Sequence, residues 1–187
     1  MKSVLLSIRP KWCEKILHEI GKDENGKSIY EKEIEVRKSK PSEVPFKGFI
    51  YCTKGKPYLY RVDDDNTFEL TNTLRPKTNL YVKDYNEQNG KVIGEFICDR
   101  IDEFTVGSLA CDDIEKQACL RYSEMIDYFY KQDGSEDLKV KFGYGWHISD
   151  LKIYDKPKEL SEFRKMNGRP IKRAYQSWGY CCDEKEN

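Results

Sequence analysis

The chain has 187 residues and a mass of 22.1 kDa, the size of one domain with room for a decorated loop. Lys plus Arg is 33 and Asp plus Glu is 33, so bulk charge is excluded as the means of holding nucleic acid, although a local basic face is not. The 13 Tyr, 8 Phe and 3 Trp exclude a disordered chain, which would be poor in such residues.

No apolar run is long enough to span a bilayer, and Val4-Leu5-Leu6, cut by Ser7-Ile8-Arg9-Pro10, is too brief for a signal-peptide core. A cytoplasmic protein is expected. The seven cysteines agree: the count is odd, and Cys13, Cys52 and Cys98 sit in apolar patterns where a thiol acts as a small hydrophobe. Without Cys-x-x-Cys, and with only His18 and His147, no metal site and no cofactor is expected. Cys181-Cys182 reads as a strand end before a charged tail.

In chain order, residues 3–8 read as a short buried strand and Pro10 opens a helix, with Trp12, Cys13, Ile16, Leu17 and Ile20 at helical spacing and Gly21 as its stop. The polar stretch 21–28 reads as a loop. From 31 to 38 the residues alternate, with Ile34 and Val36 on one face and Glu33, Glu35 and Arg37 on the other. Residues 47–53 are a strand rich in β-branched and aromatic residues, 58–62 a further one, and 63–77 a polar loop or insertion. Two strand patterns, 80–85 and 91–102, flank Asn86-Glu-Gln-Asn-Gly90 and predict a hairpin; Gly94 marks a bulge or a close backbone approach.

One helix is predicted over 112–130, started by Asp112 and Glu115 as a capping-box-like pair and ended by Asp133-Gly134-Ser135. Its period places Ile114, Ala118, Tyr122, Met125, Ile126 and Phe129 together. Residues 146–154 read as a strand, 157–164 as a short helix and 171–181 as a final aromatic strand. No βαβ alternation is present. The expected fold is α+β, a small, mainly antiparallel barrel with flanking helices and an inserted helix.

Charge is uneven. Residues 1–61 hold 14 Lys/Arg and 8 Asp/Glu, residues 62–139 hold 9 and 18, and residues 140–187 hold 10 and 7. If the ends fold together, they form a basic half able to steer an anionic ligand; otherwise the charges are spread over solvated surface. There is no phosphate loop, Gly-x-Gly-x-x-Gly, His-Glu-x-x-His or Gly-x-Ser-x-Gly, so common nucleotide hydrolases, zinc proteases and serine hydrolases are not first choices.

Three groups of residues are suited to a ligand. Lys32, Glu35 and Arg37 line up to read a polar base edge, because Arg donates to guanine-like acceptors and a carboxylate accepts an exocyclic amine. A solvated strand face with cross-strand ion pairs accounts for the same pattern. Arg9, Lys11 and Trp12 offer cations, helix-start N–H groups and a stacking surface, against the alternative that Trp12 is core. Gln176, Ser177 and Trp178 offer amide, hydroxyl and indole, against the alternative of a packed terminal strand. His147, which alternates with Trp146, reads as structural.

Leu6-Ser-Ile-Arg-Pro-Lys-Trp-Cys-Glu-Lys-Ile-Leu17, Tyr30-Glu-Lys-Glu-Ile-Glu-Val-Arg-Lys38 and Lys91-Val-Ile-Gly-Glu-Phe96 resemble the ASCH domain family of the PUA-like superfamily. Lys32, Glu35 and Arg37 keep the spacing of that family's strand motif, and Tyr51-x-Thr53 matches the end of its next strand. Gly145-Trp-His-Ile148 and Gln176-Ser-Trp178 further resemble a subgroup from bacteria and their phages. The resemblance implies a single domain over 1–187, with insertions near 21–29, 63–77 and 103–140, and a cleft that binds RNA or modified nucleosides.

One bacterial branch is implied to deacylate acetylated cytidine with a Lys and, three residues on, a Thr nucleophile. Lys32 matches the Lys, but Glu35 occupies the Thr position, and a carboxylate nucleophile would have to pass through an anhydride. The leading expectation is therefore a non-catalytic RNA- or nucleotide-binding module using Arg9, Lys11, Trp12, Lys32, Glu35, Arg37, Thr53, Gln176, Ser177 and Trp178. A small amidohydrolase using Lys32 and Glu35, and a protein-interaction adaptor working through the acidic middle helix, are the alternatives.

Overall fold

Strand β1 (Ser3–Ile8) is buried along its whole length because both of its faces are covered. Val4, Leu6 and Ile8 point into one core and Leu5 into another, the period-2 geometry of a central strand. The computed structural model describes residues 3–55, 58–62, 68–70, 80–83, 88–108, 111–130 and 141–183.

After β1 come α1 (Pro10–Leu17), β2 (Glu19–Lys22), β3 (Ser28–Tyr30), β4 (Ile34–Arg37) and β5 (Phe46–Cys52). The middle of the chain forms β6 (Tyr58–Val62), β7 (Phe68–Leu70), β8 (Leu80–Lys83), β9 (Lys91–Cys98) and β10 (Ile101–Thr105). Helices α2 (Cys111–Ala118) and α3 (Tyr122–Tyr130) precede β11 (Phe142–His147), β12 (Ser149–Glu159), β13 (Phe163–Lys165) and β14 (Trp178–Asp183).

A six-stranded sheet runs β12-β9-β5-β1-β14-β13, and a three-stranded sheet runs β10-β11-β4. Every described strand pair is antiparallel except β1–β5. The fold is α+β and mainly antiparallel, with flanking helices, but the sheets do not close into one hydrogen-bonded barrel. Side chains join them instead: Trp146 of the small sheet is fully buried among β1, β5, β9 and α1 residues, edge-on to Phe46. On the other side of the small sheet, Ile34 and Val36 pack with Phe104, Ile114, Ala118, Met125 and Phe129.

Several elements differ from their sequence patterns. Helix α1 ends at Leu17, and Ile20 is exposed in β2. The polar stretch after it is a hairpin, β2–β3, closed by an Asp23 carboxylate that accepts from Asn25 N and Lys27 N. Among the described residues β8 and β9 do not form the expected hairpin: β8 pairs with β6, while β9 lies between β5 and β12. Most of the predicted 63–77 loop, part of the Asn86–Gly90 turn and the Asp133-Gly134-Ser135 stop lie outside the described residues. The predicted 157–164 helix is the end of β12 followed by a single 3-10 turn, Leu160–Glu162. The final strand starts at Trp178 rather than at Ile171.

The single helix predicted over 112–130 is two helices. Cys119 adopts a left-handed φ of 53°, with Leu120 N donating to Glu115 O and Cys119 N to Lys116 O. Those are the two bonds of a Schellman cap, here with Cys where glycine is usual. Within this stretch the carboxylate that caps a helix start is Glu124, which accepts the N–H of Arg121 just before α3, not Glu115.

Two predictions follow from the packing. A Cβ at Gly94 would lie 2.7 Å from the Lys152 carbonyl oxygen of the neighbouring strand, backbone that cannot swing aside. Gly94→Ala should cost about 1–3 kcal/mol in urea unfolding.

The second concerns acid. Burial opposes ionisation of Glu31, Glu95 and Glu124. Hydrogen bonds from Lys15 and His18, from Tyr154 and Lys47, and from Lys11 and Arg121 N outweigh it and hold all three below the ordinary carboxylate range. The unfolded chain then binds more protons in that window, so this stability is present above the unfolded value and is lost as pH falls through the folded ones. Unfolding midpoints should fall below about pH 4, where free Glu protonates, and less steeply in Glu31→Gln.

Candidate functional site

The alternation of β4 is as its sequence predicts: Ile34 and Val36 face the helices, so Glu35 and Arg37 face the other way. That second face is buried too. Lys32, Glu35 and Arg37 are only 2, 6 and 7% exposed, which removes the solvated-face alternative.

Simple alternation would put Lys32 on the side of Ile34. Instead, residues 31–33 leave the strand, with Glu31 N bonded to His18 O, Lys32 N to Lys15 O and Glu33 N to Gln117 O. The twist brings the Lys32 ammonium to 3.3 Å from Glu35 Oε2, while Arg37 Nη2 lies 3.0 Å from Glu35 Oε1.

Each cation also satisfies a main-chain acceptor. Lys32 Nζ donates to Ala118 O at 2.5 Å, capping the C-terminal end of α2. Arg37 Nη2 donates to Ser7 O at 3.0 Å. Burial pulls the Lys32 amine below its usual value and the Glu35 charge opposes that pull. Arg37 Nε and Trp146 Nε1 are buried without a hydrogen-bond partner, and Glu35 Oε2 is met by the Lys32 ammonium as an ion pair. Trp146 and Glu35 are direct cross-strand partners, so their side chains share one face.

Aromatic groups surround the row. The Lys32 ammonium is 5.3 Å from the centroid of Trp12, which Lys11 approaches at 4.3 Å. Trp178 is half-buried, edge-on to Trp146 at 5.5 Å and to Tyr180 at 5.6 Å, and its Nε1–H donates to Ser39 Oγ. Ser7 ties this wall to Arg37, because its N–H donates to Ser177 O at 2.8 Å and its hydroxyl to Tyr175 O.

Other predicted residues lie further out. Arg9 is exposed at the N-cap of α1, and among the described residues no bond joins its side chain to the row. Lys11 is held by Glu124 of α3 at 2.5 Å. Thr53 is half-buried, with its N–H on Ile8 O. Gln176 is exposed beside the half-buried Ser177. His147 is bonded elsewhere, between Asp102 at 2.7 Å and Arg100.

Sequence reasoning missed three contributors. The Tyr128 hydroxyl on α3 lies near the Arg37 side chain and the Lys38 amide; burial raises its pKa, and the Arg37 charge works against that rise. Only the 3.6-residue period over 122–130 carried any trace of it, and Tyr128 is off the predicted stripe. The Cys13 thiol, which donates to Ile8 O, is pushed up by burial and by its hydrogen bond with Cys52, with Glu35 and Arg37 both acting on it. Ser7 contributes its carbonyl, which no sequence pattern announces.

The row predicts its own weakness. Glu35→Gln keeps the shape but leaves two buried cations facing each other. It should cost about 3–5 kcal/mol in denaturant unfolding. A Lys32→Met change added to it should recover part of that loss in a double-mutant cycle.

Three comparisons bear on this geometry. No family model matches the sequence, and no curated protein does. Among solved structures, ASCH from Zymomonas mobilis matches with a TM-score of 0.54 and 17% identity over 99% of this chain and 90% of that one. A Tyr→Phe variant of that protein matches at the same score and identity, over 100% of this chain and 94% of its own. A Ser→Ala variant does so over 99% and 91%. At that identity the likeness speaks for the backbone arrangement, and it extends over nearly all of both chains: this chain has the fold of an ASCH domain.

Proposed function

We propose that the chain is a non-catalytic RNA- or nucleotide-binding module whose ligand enters beside the Lys32–Glu35–Arg37 row. The observation that carries this reading is the group of buried polar atoms without hydrogen-bond partners, bordered by two half-buried tryptophans. Glu35 Oε2 is an acceptor for an exocyclic amine, Arg37 Nε is a donor to a ring nitrogen or carbonyl, and the indoles supply stacking surface. The row holds two cations and one anion, and this surplus of positive charge favours an electron-rich partner.

The same contacts weigh against the amidohydrolase alternative. Lys32 is spent on the Ala118 carbonyl and Glu35 on Arg37, an arrangement that fixes the groups rather than freeing one to attack. Of the two hydroxyls nearest by strand position, Ser39 accepts from Trp178, and Thr53 lies at the end of β5. Without a nucleophile, proton transfer alone would contribute only about 10²–10⁴-fold.

Calorimetric titration with nucleosides, modified nucleosides and short RNAs tests the proposal. Lys32→Ala and Arg37→Ala should each weaken binding by about 1–3 kcal/mol, measured below their lowered melting temperatures. Gln176→Ala, on the exposed rim, should weaken it by about 1 kcal/mol with stability unchanged. Failure of the wild-type protein to bind any of these ligands refutes the reading. Rapid acetate release from acetylated cytidine, lost in Glu35→Gln, would replace it with the hydrolase.

A further inference from the structure

Residues 163–182 carry five cations, Arg164, Lys165, Arg169, Lys172 and Arg173, and no Asp or Glu. The first part of this stretch is a hairpin. Lys165 N donates to Arg169 O, Gly168 N to Lys165 O and Ile171 N to Phe163 O, and Arg164 bridges Pro170. Gly168 supplies the positive φ of the turn, 77°. The hairpin is anchored beneath by Phe163 and Ile171, both fully buried. Its charges are therefore displayed on an ordered support.

Several lysines elsewhere among the described residues are paired. Lys11, Lys15, Lys27, Lys40, Lys47 and Lys91 each meet a carboxylate. Lys165, Arg169, Lys172 and Arg173 are exposed, and among the described residues none of the four makes an ion pair. Four exposed cations with no acid between them in the chain form a local field suited to an external anion.

Position gives that field a direction. β13 runs antiparallel to β14 with Lys165 opposite Cys181, so the turn at 166–169 projects toward the Trp178 end of β14. Cys181 is three positions along the strand from Trp178, roughly 10 Å. After Arg173, the chain itself passes through Tyr175 and Ser177, the two residues that bond Ser7 at the site.

We propose that residues 163–173 form a phosphate track for a single-stranded RNA, which delivers one base of the strand to the cleft at Ser177 and Trp178. The track deepens the binding reading above and rests on it. The ligand class becomes an oligonucleotide rather than a free nucleoside. A flexible strand can lay successive phosphates along Lys172, Arg173, Arg169 and Lys165 while a base turns inward, which a rigid duplex cannot do at a narrow cleft.

The test compares wild type with a variant in which Lys165, Arg169, Lys172 and Arg173 are all changed to Gln, with the paired double variants as folding controls. Anisotropy with a labelled single-stranded RNA of about ten nucleotides is read across salt, and a nucleoside monophosphate is titrated in parallel. Single-strand binding loses about 0.7 of log–log salt slope per phosphate contact, so four lost contacts should flatten the slope by about 3. The strand affinity should drop at least 10-fold, with monophosphate binding and melting temperature unchanged.

If strand affinity and slope are the same in both proteins, the track is refuted and the cleft reading stands. Equal wild-type affinity for monophosphate and strand refutes it as well, as does a slope lost equally with duplex RNA or with anionic vesicles. If neither strand nor monophosphate binds, the cleft reading itself has failed, and the track with it.

Discussion

Two cations and one carboxylate lie buried between two hydrophobic cores, and the architecture around them answers to that fact. Removing Lys32, Glu35 and Arg37 from water costs several kcal/mol per ion, more than their mutual attraction returns unless each lone pair and proton is satisfied. The protein meets this by bringing main-chain carbonyls from two distant segments. Ala118 O at the end of α2 takes the ammonium, and Ser7 O at the end of β1 takes the guanidinium. The row is thereby a cross-link among β4, α2 and β1. Apolar residues of similar volume often stabilise such a position as well or better.

How much of this was legible in the sequence depends on the range of the interaction. The alternation of Ile34 and Val36 against Glu35 and Arg37 is a local property of the backbone, and the structure keeps it. What local pattern lacks is whether the far side of a strand meets water or another core. Here it meets Trp146 from β11, paired across strands with Glu35 from more than a hundred residues away. The position of Lys32 is beyond the pattern for a related reason: three backbone bonds to α1 and α2 turn residues 31–33 out of the strand.

The helix over 112–130 shows the opposite case. Its apolar stripe is real, since Ile114, Ala118, Met125 and Phe129 are all buried as the period requires. Nothing in that stripe marks the break, because the left-handed residue is Cys119 and not a glycine. The break is what exposes the Ala118 carbonyl to Lys32, so a feature invisible to periodicity supplies an acceptor that the site needs. β8 was misassigned for a third reason. An Asn-Gly turn between two strand patterns favours a hairpin locally, but β9 has β5 and β12 as partners, and burial against the central strands decides its neighbours.

Charge segregation along the chain finds its meaning in the pairing. Cations of the basic N-terminal third reach carboxylates of the acidic middle, as in Lys11–Glu124 and Lys40–Glu103. The end of β1 then becomes the point where three demands meet. β14 begins only at Trp178, so the ladder beside β1 ends there and the Ser7 carbonyl turns to Arg37. On the other side of β1, Thr53 N and the Cys13 thiol both converge on Ile8 O. A central strand that runs past the end of one neighbour leaves backbone groups to be satisfied by side chains. Those side chains bring charge, hydroxyl and indole to one place, at this end of the sheet rather than along its faces.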